Sequence, residues 1–151
     1  MARRILPLSL VCPLLLSQAA SVLSVAPLEK ARVQRSSEFT EKLTVDVKPG
    51  FHVNSNAPED EYLIPLKLTW TGPLQSETVT YPKAERIKSA FSEKPVPVFT
   101  GKFEIVSKLK VPPNAPTGPN LATAKLRYQA CNDRECLPPK TVDVNLSLDI
   151  R

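Results

Sequence analysis

The chain has 151 residues, with 20 Lys and Arg against 15 Asp and Glu, a net charge of +5. That length holds one domain with a real core, and the charges are interspersed, without the basic stripe or cluster that nucleic-acid binding uses. One His and three Cys confine covalent chemistry to few places, and 16 prolines leave few stretches free to form a helix.

The first residues read as an export signal. Arg3 and Arg4 form a positive start, Ile5 to Leu16 is apolar apart from Ser9, and Ser17-Gln18-Ala19 supplies small residues for cleavage. The apolar run is well short of the roughly 20 residues that span a bilayer as a helix. Residues 1–19 are therefore expected to be removed, which sends the chain to the periplasm or outside the cell. An uncleaved signal acting as a membrane tether is an alternative. Lipidation at Cys12 is disfavoured, because Val11 stands where a small residue is needed. Cleavage removes two of the basic residues and no acidic one, leaving 18 against 15. Two cysteines then remain, an even number in an oxidising compartment. No later apolar run is long enough to span a membrane.

Residues 20–37 lack sustained periodicity and read as a linker or a loose first strand. From there to Arg151 the pattern is that of one domain. Phe39, Leu43, Val45 and Val47 alternate with polar residues, the mark of a half-buried strand, and Pro49-Gly50 ends it. Phe51-His52-Val53 restarts a short strand. Leu66, Leu68 and Trp70 share a face; Val79 to Tyr81 is a short candidate. Lys83 to Phe91, between Pro82 and Pro95, is the one stretch that suits a short helical turn. Phe103, Ile105, Leu109 and Val111 alternate, as do Ala122 to Tyr128 and Val142 to Ile150. Six or seven short strands separated by Pro, Gly and Asn turns predict an all-β antiparallel sandwich or barrel. One-sided alternation argues against a parallel α/β sheet, whose strands are buried on both faces.

The chemistry concentrates in Tyr128-Gln129-Ala130-Cys131-Asn132-Asp133-Arg134-Glu135-Cys136-Leu137-Pro138-Pro139. The strand carrying Tyr128 runs into Cys131, and the next strand follows Cys136, so the pair brackets a loop at one end of the sandwich. A bond closing so short a loop adds only about 2 kcal/mol of chain-entropy stabilisation. A redox pair must be close, so that one thiolate attacks a partner disulfide and the other resolves the mixed intermediate. Arg127 and Arg134 favour a thiolate, and Asp133 and Glu135 oppose it. Chemistry alone leaves a redox pair and a hairpin staple both open, the staple reading making the chain a secreted binding or scaffold module. A metal site is disfavoured: two thiolates without a second Cys pair or a nearby His fall short of the four ligands zinc takes.

The cysteine run, continued through Lys140-Thr141, resembles the active-site hairpin of the N-terminal periplasmic domain of the thiol:disulfide interchange protein DsbD. Pro49 to Asn56 followed by Tyr62-Leu63-Ile64-Pro65, Tyr81-Pro82, and Phe99-Thr100-Gly101-Lys102-Phe103-Glu104-Ile105 are similar to other parts of the same domain. The resemblance covers residues 38–151 and implies an immunoglobulin-like sandwich. It also implies an oxidoreductase component without cofactor, a monomer that passes reducing equivalents from a membrane electron-carrier domain and a thioredoxin-like domain to periplasmic clients. Those clients include disulfide isomerases and the thioredoxin-like proteins of cytochrome c maturation. Cys131 and Cys136 would be the redox centre, with Cys136 forming the mixed disulfide and Cys131 resolving it. Phe99 matches an aromatic that caps the cysteines in the family, although Pro97 and Val98 replace the acidic residues that often precede it. The membrane and thioredoxin-like domains that typically follow are not in this chain, which suggests a stand-alone relay module or a fragment.

Three other residues invite a role. His52 reads as a satisfied strand histidine rather than a base near the thiols. Tyr128 reads as core, with lining of the active site as its alternative, and Trp70 reads as core. Glu59-Asp60-Glu61 reads as a solvated turn.

Overall fold

The period-two segments of the sequence become the long strands of a computed structural model that describes residues 21–151. The expected signal segment, with Cys12, lies outside the described residues. In chain order the strands are β1 (Leu23–Val25), β2 (Ala31–Val33), β3 (Glu38–Val47), β4 (His52–Asn54), β5 (Lys67–Thr71) and β6 (Gln75–Thr80). They continue with β7 (Glu85–Ile87), β8 (Val96–Phe99), β9 (Lys102–Lys110), β10 (Gly118–Tyr128), β11 (Ala130–Cys131) and β12 (Lys140–Ile150). The fold is all-β and immunoglobulin-like.

Two four-stranded sheets make the sandwich, one in the order β1-β3-β9-β6 and the other β2-β12-β10-β5. All pairings are antiparallel except the short one between β12 and β2. Leu43, Val45 and Ile105 from the first sheet meet Ala124, Leu126 and Val144 from the second in one apolar cluster. Leu109 and Val111 meet Ala122, Leu146, Leu148 and Ile150 in another. Each of these leucines and isoleucines, fully buried, contributes about 1.5–3 kcal/mol relative to exposure. The residues between them on the strands face water, which is why the alternation is clean.

One polar pair crosses this core. Ser107 on β9 is inward-facing and fully buried, and its Oγ accepts a hydrogen bond of 2.9 Å from Trp70 Nε1 on β5. Each group satisfies the other, so neither carries the cost of an unpaired buried polar atom. Tyr81 seals the same edge: its hydroxyl accepts the Leu68 N–H at 2.8 Å, and burial raises the phenol above its usual value. At the end of β5, Gly72 has φ +107° and its Cα comes so close to β10 that a Cβ there would sit 2.7 Å from the Leu121 carbonyl oxygen. A side chain at this position would push the two strands apart.

Residues 21–37, within the stretch read as a linker or a loose first strand, supply two short strands, β1 at the edge of the first sheet and β2 at the edge of the second. Lys83 to Phe91 does not form the helical turn expected of it; it contributes β7, which pairs with β8 through Ile87 and Val96. Pairing to the fully buried β8 outweighs a weak local helical preference over so short a segment. A third sheet, ordered β11-β4-β8-β7, lies at the end of the sandwich where β10 hands over to β12. That small sheet carries Cys131 on β11, with Cys136 bridged to it across the hairpin.

Candidate functional site

The site is an excursion between two strands that pair along their whole length. β10 and β12 are in register from Gly118 opposite Ile150 to Tyr128 opposite Lys140. Beyond Tyr128 the chain leaves the sheet, forms β11 against β4, turns, and returns through Pro138-Pro139. The turn is closed by backbone bonds from Leu137 N–H to the Ala130 carbonyl (2.8 Å) and from Asn132 N–H to the Glu135 carbonyl (2.9 Å). Asn132 folds over its own turn: its Oδ1 accepts the N–H of Arg134 at 2.8 Å and of Glu135 at 2.9 Å. This is the local bonding for which Asn is favoured in turns.

Cys131 and Cys136 face each other across this hairpin and are joined by a disulfide, with S–S 2.08 Å and Cα atoms 4.0 Å apart. Their environments differ. Cys131 is 1% exposed. Cys136 is only partly buried and lines a cavity of about 530 Å³ that is open on one side. Tyr62, Leu63, Phe91, Val96 and Gln129 line the same cavity. Tyr62 and Phe91 are large apolar rings left 88% and 47% exposed. Glu59 and Asp60 of the acidic loop, together with Glu93 and Lys94, give the rim its charge. The acidic run is thus part of the cavity wall, and Glu59 is further tied to the Arg86 guanidinium.

Gln129 holds the cavity floor together. Its Oε1 accepts from Asn54 Nδ2 (3.1 Å) and from Ile64 N–H (3.2 Å), and its Nε2 donates to the Leu137 carbonyl at 3.4 Å. Asn54, buried on β4, donates a second bond from the same amide to the Ile64 carbonyl at 3.0 Å. One side chain therefore ties β4, the 63–64 loop and the exit of the cysteine hairpin. Sequence reasoning passed over Gln129 and Asn54; both belong to segments of the family resemblance, which was the available signal.

The residues expected at the site are only partly brought together. Phe99 does not line the cavity beside Cys136. It sits on β8 opposite Val53, which in turn is opposite Ala130. All three point into the core, and the Phe99 ring packs against that of Phe103 at 5.0 Å between centroids. The aromatics that line the cavity with Cys136 are Phe91 and Tyr62 instead. Tyr128 is core, as its position on β10 implies, and its hydroxyl is a buried oxygen without a hydrogen-bond partner.

His52 moves in the other direction. Expected to be remote from the thiols, it lies on β4 opposite Cys131. It is 9% exposed. Burial holds its imidazole below the usual histidine value, and the Asp133 carboxylate pulls it part of the way back. Among the described residues no group of three or more His, Cys, Asp or Glu is placed to hold a metal ion.

An immunoglobulin-like sandwich carrying a cysteine pair at a hairpin tip, with one sulfur buried and the other on a cavity wall, has the form of a thiol:disulfide interchange domain. The chain belongs to the family of the N-terminal part of the thiol:disulfide interchange protein DsbD, whose model matches residues 19–148. Among solved structures it is similar to the N-terminal periplasmic domain of ScsB from Proteus mirabilis, with a TM-score of 0.55 at 13% identity. That match covers 82% of this chain and 44% of the ScsB chain, so this chain spans less than half of that structure. The reduced N-terminal domain of DsbD from Neisseria meningitidis aligns over 70% of this chain and 74% of its own, with a TM-score of 0.44 and 14% identity. No curated protein matches the sequence.

Proposed function

We propose that the chain is a periplasmic relay that carries two electrons through Cys131 and Cys136 from a membrane electron-carrier domain to thioredoxin-like clients. Residues 1–19 would direct its export and then be removed. Cys136 is the sulfur that meets the partner, and Cys131 is the one that resolves the mixed disulfide. The observation that carries this reading is the unequal burial of one bonded pair. Cys136 is partly exposed and lines the cavity, where a partner thiolate can meet it, whereas Cys131 is 1% exposed. Interchange requires that asymmetry, because attack at a defined sulfur decides which cysteine leaves. A hairpin staple has no use for it.

The test is a reduction potential and a trapping experiment. A carrier has a potential of around −200 mV, whereas a structural bond falls below about −300 mV. Cys131→Ala should accumulate a mixed disulfide with a thioredoxin-like partner, and Cys136→Ala should abolish transfer. If both variants transfer electrons like the parent, the relay reading is wrong.

A further inference from the structure

The third sheet places three residues with chemistry in one cross-strand row. His52 on β4 is opposite Cys131 on β11, and Cys131 is opposite Cys136 across the hairpin. Side chains of directly opposed residues lie on the same face of a sheet, with Cβ atoms about 4.5–5.5 Å apart in an antiparallel pair. The row therefore runs from an imidazole, through the buried sulfur, to the sulfur on the cavity wall. His52 is the chain's only histidine.

We propose that His52 is the proton acceptor and donor for Cys131 during interchange. The inference rests on the relay function proposed above and adds a residue to it. The need for such a group follows from burial. A free thiol is only a few per cent ionised at neutral pH, and an apolar surrounding suppresses ionisation further. Cys131, 1% exposed, is in that position once reduced. It must nevertheless become a thiolate to attack the mixed disulfide. Burial favours the neutral imidazole, the form that can take the proton, and Asp133 favours the imidazolium that results.

Within the third sheet and its hairpin the charged groups are few. Apart from His52, β4 has no titratable side chain, and β8, on its other side, has none. β11 contributes only Cys131, and the hairpin loop contributes Asp133 together with Arg134 and Glu135, all exposed. The step balances as follows. With Cys136 bound to a partner sulfur, Cys131 gives its proton to His52, and the thiolate attacks Cys136 Sγ. The new Cys131–Cys136 bond forms as the Cys136–partner bond breaks. The partner cysteine leaves as a thiolate with the electron pair, and His52 passes its proton to solvent or to that thiolate. In the reverse direction His52 protonates Cys131 as it leaves.

Oxidised glutathione serves as the partner in the test. The reduced protein is mixed with it, samples are quenched in acid, and the mixed disulfide and the closed ring are separated by mass. Cys131→Ala isolates the first attack. In His52→Gln, ring closure should slow about tenfold or more at pH 7, corresponding to at least one unit in the apparent pKa of the attacking thiol. It should recover towards the parental rate near pH 10, where the thiol ionises unaided, while the first attack at Cys136 keeps its parental pH profile. A parental pH profile for ring closure in His52→Gln, or an equal slowing at every pH, overturns the role of His52. Failure of the unaltered protein to close the ring overturns the relay itself. A nuclear magnetic resonance titration of the single imidazole covers the case of an unfolded variant. Its curve should differ between the disulfide and dithiol forms, and identical curves would also overturn the proposal.

Discussion

Reducing the Cys131–Cys136 bond should leave the domain folded and lower its stability by only about 2 kcal/mol. The two residues are five apart in sequence, and the chain entropy removed by closing so short a loop has about that value. Little else depends on the bond. The hairpin is held independently by Leu137 N–H on the Ala130 carbonyl, Asn132 N–H on the Glu135 carbonyl, and the two N–H groups on Asn132 Oδ1. Both strands that launch it belong to the central pairing of β10 with β12. The thermodynamic cycle then makes the pair harder to reduce in the folded chain than in the unfolded chain by the same about 2 kcal/mol, or about 40 mV for two electrons. Urea denaturation of the oxidised and the reduced protein, followed by circular dichroism, measures the difference directly. The two transitions should have similar slopes and closely spaced midpoints, and the near-ultraviolet signal should persist after reduction. A loss above about 5 kcal/mol, or collapse of the near-ultraviolet signal, would refute the reasoning and restore the disulfide to a structural role.

Three further substitutions test the packing of the core and of the site. Trp70→Phe keeps an aromatic ring but removes the donor to Ser107 Oγ and part of the indole's volume, so it should cost at least about 1–3 kcal/mol by denaturation. Adding Ser107→Ala should recover part of that loss, because the unpaired hydroxyl is then gone too. Gln129→Ala removes the acceptor shared by Asn54 and Ile64. It should cost about 1–3 kcal/mol and speed alkylation of reduced Cys136 by iodoacetamide, since the cavity floor loses its tie to the hairpin exit. Unchanged alkylation would show that Gln129 does not control access to the sulfur.

The long strands were legible because each buries one face only. Leu43, Val45 and Val47 on β3, and Leu146, Leu148 and Ile150 on β12, are inward-facing at every second position. The elements around the cysteines lack that signature. β11 has two residues and β4 three, too few to display a period. β8 is buried at all four positions and contains Pro97, so it reads as neither helix nor alternating strand. The placement of Phe99 depends on strand register: sharing a row with Val53 and Ala130 turns it into the core. A motif match fixes the position of a residue along the chain but not the face its side chain takes. The same limit hid His52, whose meeting with Cys131 is a long-range pairing that no local pattern encodes. The cysteines themselves were legible, since a close pair between two strands can only sit on the connecting loop.

The position of the pair on the small third sheet has a mechanical consequence. A bond that opens and closes in the main core would disturb side chains packed at crystal-like density, where even one methylene is felt. Here the bond joins the two arms of a hairpin lying beyond Tyr128, past the end of the β10–β12 pairing, and Cys136 belongs to no extended strand. Cys131 is fixed by β4 on one side, whereas Cys136 is bridged only to Cys131. Any motion on breaking the bond, limited by the Leu137 N–H bond to the Ala130 carbonyl, should therefore fall on the arm that carries Cys136, which also lines the cavity. In the proposed relay, the anchored cysteine would stay in register with His52 while the arm carrying Cys136 meets the incoming sulfur. Chain order alone produces this difference in anchoring, because the first cysteine ends a paired strand and the second follows the turn.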